Sequence, residues 1–251
     1  MTQQATFHFY DRLNFFLPRR QRNKPILYDF DRRASIKDMV EAIGVPHPEV
    51  ELLIVNQQSV GFDYIVQTGD VVRVYPDYDA IDLPDRIRLI PPYEGRPRFV
   101  LDTHLGRLAA YLRMLGFDTL YRNDYPDDAL AAISDLEKRI LLTRDIGLLK
   151  RSRVVYGYYV RETNPRRRLY EIIARYNLLE QAIPFRHCLR CNGNLMAVDK
   201  AHIREQLPPN TAKYYDEFHQ CTVCKQIYWR GSHYERMQAF INEVMQANGN
   251  G

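Results

Sequence analysis

The sequence predicts a mixed α/β protein of 251 residues built from three modules, and three observations predict it. A short run of strands around one helix occupies the first eighty residues. Strand-like and helix-like segments then alternate, which implies a parallel sheet covered by helices. The four cysteines of the chain all fall in the last third, as Cys188-Leu-Arg-Cys191 and Cys221-Thr-Val-Cys224, with twenty-nine residues between the pairs.

In the first module, residues 1–78, Thr6-Phe-His-Phe-Tyr alternates as a strand and Asn23 to Phe30 forms a second. Ser35 is placed to cap a helix through Met39 and Ile43, which Gly44-Val-Pro ends. Glu51-Leu-Leu-Ile-Val and Asp70-Val-Val-Arg-Val-Tyr supply two more strands. This ββαββ order is that of a small β-grasp. Residues 79–96, holding Pro84, Pro91 and Pro92, read as a linker.

The second module covers residues 97–182. Arg98-Phe-Val-Leu-Asp102 is a short apolar strand ending in a carboxylate, and the helix after it lines up Leu105, Leu108, Ala109, Leu112 and Leu115 before Gly116 stops it. Thr119-Leu-Tyr is a strand, Asp127 or Asp128 opens a helix, and Arg139-Ile-Leu-Leu-Thr143 is a third strand followed by Asp145. Val154 to Val160 forms a fourth strand, and Pro165, at a helix N1 position, starts a helix through Ile173. The third module, residues 183–251, is a zinc ribbon with a C-terminal helix. Two CxxC turns complete a closed tetrahedral thiolate cage, so its zinc is structural and has no open position for substrate. His187 and His219 flank the knuckles.

Charge is uneven: the net formal charge is −3 over residues 1–95, +5 over 96–182 and +2 over 183–251. Basic charge after the first hundred residues favours a polyanionic partner. No secretory leader or long apolar run is present, so a cytoplasmic protein without a membrane segment is expected. In open α/β sheets the functional crevice lies beyond the carboxyl ends of the strands. Asp102, Asp145, Asp124, Asp127 and Asp128 fall there. Gathered carboxylates require a cation, and hard oxygen ligands select Mg²⁺ or Mn²⁺. Lys150, Arg151, Arg153, Arg161, Arg166, Arg167 and Arg168 would rim such a centre and hold a phosphate backbone. Each feature has a plainer reading as well: strand-end aspartates cap turns, and arginine runs form solvated faces.

Phe99-Val-Leu-Asp102-Thr-His-Leu-Gly-Arg107 with Arg113, Asp127-Asp-Ala-Leu and Arg139-Ile-Leu-Leu-Thr-Arg-Asp145 resemble the PIN-like RNase domain first named from the C-terminus of the Mut-seven exonuclease. Arg186-His-Cys188 and Tyr228-Trp-Arg-Gly-Ser-His233 are similar to the zinc ribbon appended to that family, and bacterial members often carry a β-grasp in front. The β-grasp itself resembles the ubiquitin-like sulfur carriers, but the chain has no Gly-Gly, so a docking role toward a protein partner replaces sulfur transfer.

The resemblance implies a metal-dependent ribonuclease with Asp102 and Asp145 as the firmest Mg²⁺ or Mn²⁺ ligands. Asp128 is the choice for the third ligand, followed by Asp127 and then Asp124; Glu162 is the carboxylate after the fourth strand. It further implies that Thr143 orders Asp145, that Arg144 meets phosphate, and that Arg107 and Arg113 contact RNA, whether tRNA, mRNA or the ribosome. Trp229 with Arg230 either grips RNA or packs on the ribbon. The alternative function is a non-catalytic RNA- or ribosome-binding protein.

Overall fold

The computed structural model describes residues 3–247. In chain order the first strands are β1 (Gln3–Phe9), β2 (Ile26–Phe30), β3 (Leu52–Val55), β4 (Gln58–Ser59) and β5 (Val71–Tyr75), with helix α1 (Ile36–Ile43) between β2 and β3. Then follow β6 (Phe99–Leu101), α2 (Gly106–Met114), β7 (Thr119–Tyr121), α3 (Asp127–Glu137), β8 (Ile140–Thr143), α4 (Ile146–Leu149), β9 (Gly157–Tyr159) and α5 (Pro165–Tyr176). The last part holds β10 (Leu195–Val198), α6 (Lys200–Ile203), α7 (Pro209–Tyr214), β11 (Phe218–Cys221), β12 (Ile227–Trp229) and α8 (Ser232–Ala247). Among the described residues no helix is long and apolar enough to cross a membrane.

The chain divides into two compact units: the part up to Tyr93 together with Asp145–Tyr159, and Glu94–Arg144 together with the part from Val160 onward. In the first unit β1 pairs antiparallel with β2 and parallel with β5, and β3 pairs antiparallel with β5 and β4. This mixed sheet with α1 is the β-grasp. Alternation along β1 buries Ala5, Phe7 and Phe9 against Ile36, Met39 and Val40 of α1. The Ser35 hydroxyl caps α1 by accepting from the Asp38 amide, and Gly44 ends it at φ +131°, a backbone angle that glycine adopts without strain.

The proline-rich stretch after β5 packs onto this unit. Ile81 and Leu83 lie against Leu52, Ile54 and Tyr75, and the Leu89 amide donates to the Glu51 carbonyl. The segment 145–159 is held as firmly. Glu49, 1% exposed, accepts from the Tyr159 amide at 2.7 Å, a His47 ring nitrogen meets the Val154 carbonyl at 2.9 Å, and Tyr159 packs on Phe15 and Phe16. Lys150, expected at a phosphate-binding rim, donates from Nζ to the Glu41 carbonyl in the last turn of α1. A cation at a helix C-terminus satisfies a carbonyl that the helix cannot.

In the second unit β7, β6 and β8 form a parallel sheet with Leu101 level with Tyr121 and Leu142. β6 and β8 are short, almost continuously apolar and buried, as a sheet covered on both faces requires. Leu105, Leu108 and Leu112 of the α2 face are fully buried, as are Leu169 and Ile172 of α5, and Gly116 at φ +85° closes the turn into β7. Asn164 caps α5 and Pro165 occupies its first turn. β10, β11 and β12 make a separate antiparallel sheet, the ribbon.

Candidate active site and metal centre

Asp102 stands just beyond the carboxyl end of β6. The parallel register that sets Leu101 beside Leu142 carries Asp102 to Thr143, and the Thr143 hydroxyl donates to Asp102 Oδ2 at 2.7 Å. The other oxygen, Oδ1, accepts from the Thr103 amide and, more weakly, the Thr103 hydroxyl at 3.2 Å, so Asp102 also caps the short turn Thr103–Leu105. The Tyr121 hydroxyl donates to the Thr103 carbonyl at 2.8 Å. Its ring passes so close that a Cβ at position 106 would sit 2.8 Å from the hydroxyl oxygen, and only Gly106 leaves that room. The Thr143 hydroxyl, expected to order Asp145, thus serves Asp102.

Two arginines pin the loop after Val160. Arg144 Nη1 donates to the carbonyls of Val160, Arg161 and Glu162 at 2.7–2.9 Å. Arg168 donates to Glu162 O at 2.9 Å and to His104 O at 3.1 Å, which joins this loop to the turn beside Asp102. Burial, and then the nearby Arg144 charge, depress the Arg168 pKa, a sign that cationic charge is concentrated here. Glu171 accepts from the amides of Arg161 and Glu162.

The other expected carboxylates sit on separate elements of the chain. Asp127 and Asp128 are exposed in the first turn of α3, where a negative charge favours the helix N-terminus. Asp124 is exposed and paired with Arg122 at 2.8 Å, and that contact lowers its pKa. Asp145, in the other compact unit, is exposed and caps α4 by accepting from the Leu148 amide at 3.1 Å. Among the described residues of the second unit no three carboxylates converge; the four cysteines are the one cluster of metal-ligating groups.

Several expected RNA contacts have other partners. Arg113 is 3% exposed and spends its guanidinium on the carbonyls of Thr119, Leu189 and Arg190, so it cannot reach a substrate. Arg166 lies over the Phe240 ring and faces Glu243 at 3.4 Å, on α8. Trp229 packs with Phe218, Ile203 and Leu207 in the ribbon core. Arg107, Arg167 and Arg230 are exposed, and Arg151 is half-buried.

In the ribbon the four Sγ atoms lie within 4.8 Å of one another, with Cys188–Cys224 at 3.6 Å and Cys191–Cys221 at 3.4 Å. A tetrahedral zinc thiolate cage, with Zn–S near 2.3 Å, places sulfurs about 3.8 Å apart. The residues therefore fit a four-coordinate soft metal ion. A Cβ on Gly193 would meet Cys221 Sγ at 2.8 Å, so the close approach of the two knuckles needs glycine there. Burial raises the Cys221 thiol pKa, but amide donors from Cys224 and Val223 outweigh it and bring the value down to about 7. Burial pushes Cys191 up to about 12. The Tyr228 hydroxyl lies 3.1 Å from Cys188 Sγ and accepts from the Leu189 amide at 3.2 Å, which assigns Tyr228 to the cage.

The first knuckle is also tied into the parallel sheet, by residues that sequence reasoning missed. Asn192 accepts from the Thr119 amide at 2.8 Å and donates to Asp118 at 2.6 Å, and Asp118 receives a bidentate bond from buried Arg139 at 2.8 and 2.9 Å. Burial pushes the Asp118 pKa up, but Arg139 and Asn192 reverse this and hold it below the usual value. His187 is buried, its Nδ1 faces the Asn192 carbonyl at 3.2 Å, and burial lowers its pKa. No local pattern marks these residues; they meet through strand register.

Compared with known families, residues 97–241 match the Mut7-C RNAse domain and residues 2–82 match the Mut7-C ubiquitin domain. No curated protein and no solved structure matches the chain.

Proposed function

Because the chain belongs to the Mut7-C RNase-domain family, we propose that it hydrolyses RNA phosphodiester bonds at the carboxyl rim of the parallel sheet, with Asp102 as the central carboxylate. The observation that carries this reading is the Thr143–Asp102 hydrogen bond. A donor on each oxygen of this strand-end carboxylate fixes its direction, which is what a metal-holding group needs. Mg²⁺ keeps several waters and takes one or two protein carboxylates together with substrate phosphates. In that mode Asp102 is the first ligand, and Asp128, Asp127 or Asp145, two residues beyond Thr143 in sequence, is the second. A bound Mg²⁺ or Mn²⁺ supplies a water of lowered pKa and neutralises charge on the phosphate. Arg144 and Arg168 hold the loop 160–162 in place and raise the local positive potential, while exposed Arg107 and Arg167 steer the RNA backbone.

The cysteine cage holds zinc in this reading. Four sulfurs leave no open coordination position, so zinc stabilises the fold and takes no part in hydrolysis. The ubiquitin-like domain is a docking module for a protein partner.

One observation favours a second reading, a non-catalytic RNA-binding protein: no three carboxylates converge in the second unit among the described residues. End-labelled single-stranded and hairpin RNAs incubated with the zinc-loaded protein, with and without Mn²⁺, separate the two. Manganese-dependent products support the nuclease. Intact RNA with a retained gel shift supports the binding protein.

A further inference from the structure

The open face of the ribbon sheet carries a cleft of about 260 Å³ that the acidic rim does not involve. Strand pairing builds it. Phe218 lies opposite Trp229 on the packed side of β11 and β12, so the adjacent pair His219 and Tyr228 turns to the other face. That face is closed over by Phe185 and Tyr234, whose rings lie 4.6 Å apart at 32°, and Trp229 borders it. Gly231 makes room for the indole: a Cβ there would stand 2.8 Å from Trp229 Nε1. At the mouth, Arg230 and Glu217 are 3.4 Å apart and largely exposed, a pair that a ligand opens at little cost.

The lining combines flat aromatic surface with imidazole, carboxylate and guanidinium groups. An apolar side chain from a protein would leave those polar groups unmatched. A nucleobase offers a π-face for stacking and donor and acceptor edges at once. The volume lies below the roughly 300–1,000 Å³ of small-molecule clefts, which suits one base. We propose that this cleft seats a single unstacked base of the RNA, stacked between the Tyr228 side and Tyr234, with its phosphate on Arg230. The assignment rests on the ribonuclease reading for the identity of the ligand as RNA.

Trp229 is the single tryptophan of the chain, so its fluorescence reports on the cleft directly. The zinc-loaded full chain is titrated with each nucleoside 5′-monophosphate, with ribose 5-phosphate and with a short single-stranded RNA. Quenching by the nucleotides and the RNA, but not by ribose 5-phosphate, is expected. Tyr234→Ala should weaken nucleotide binding about fivefold or more, the loss of one stacking partner. Leu195→Phe, which fills the cleft and removes no contact group, should weaken it likewise, and an unchanged zinc content shows that both variants fold. Absence of quenching in the wild type, an equal response to ribose 5-phosphate, or wild-type affinity in both variants overturns the base seat. The same preparations are assayed for RNA cleavage: cleavage without quenching rejects the seat and leaves the nuclease, whereas quenching without cleavage rejects the nuclease and leaves the seat.

Discussion

The Thr143 hydroxyl donates to Asp102 Oδ2 across two adjacent parallel strands, at 2.7 Å and in full burial on the Thr143 side. Local sequence does not pair these residues; the register of β6 on β8 does. Removing the hydroxyl while keeping the shape leaves the carboxylate held through Oδ1 alone. Thr143→Val should therefore lower RNA cleavage at least about tenfold, with a change in stability of roughly 1 kcal/mol. Thr143→Ser should restore most of the activity. Initial rates against Mn²⁺ concentration, alongside thermal unfolding, check this, and a Val variant with wild-type rates would contradict it.

Arg113 joins α2 to β7 through the Thr119 carbonyl and to the first zinc knuckle through the carbonyls of Leu189 and Arg190. Arg113→Met retains bulk but leaves those carbonyls without a donor, so it should destabilise the protein by about 2–4 kcal/mol and weaken zinc retention. Denaturant unfolding combined with chelator competition measures both. Equal zinc affinity in the variant would show that knuckle and helix are independent.

Asp118 has its carboxyl held below the usual carboxylate range by Arg139 and Asn192, against the opposing effect of burial. A folded-state pKa below the unfolded one gives stability that is present above the unfolded value near 3.8 and is lost as pH falls through the lower folded value. The wild type should lose stability steeply below about pH 4. Asp118→Asn should be less stable at neutral pH and show a flatter acid limb. Stability measured from pH 7 to pH 2.5 in both proteins checks the sign.

The segment 145–159 completes the first unit, with Leu148, Leu149 and Val154 fully buried. A chain starting at Glu94 would strip those side chains of partners and leave the Tyr159 amide without Glu49. It should lose cooperative unfolding or precipitate. A sharp wild-type-like transition for the truncated chain would contradict this account.

Sequence reading succeeded where the signal is local. The paired cysteines, the Ser35 cap, the Pro165 helix start and the apolar runs of β6 and β8 each depend on residues within one turn of each other. It failed where burial decides. A basic residue reads alike in sequence whether it is exposed or buried, and Arg113, 3% exposed, serves carbonyls. The plain reading of Trp229 as a ribbon core residue also prevailed, although one edge of its ring reaches the cleft. The Asp118–Asn192 bond spans 74 residues and carries no pattern that composition or spacing can display.

The central claim is that Asp102 serves RNA hydrolysis, and the Asp102→Asn variant tests it most directly. Asparagine retains the cap on Thr103 through its side-chain oxygen, so the variant should fold, keep its zinc and bind RNA as the wild type does. Compared on one gel with Mn²⁺ present, the wild type should cleave RNA and the variant should leave it intact. Equal cleavage by the two proteins would contradict the assignment of Asp102.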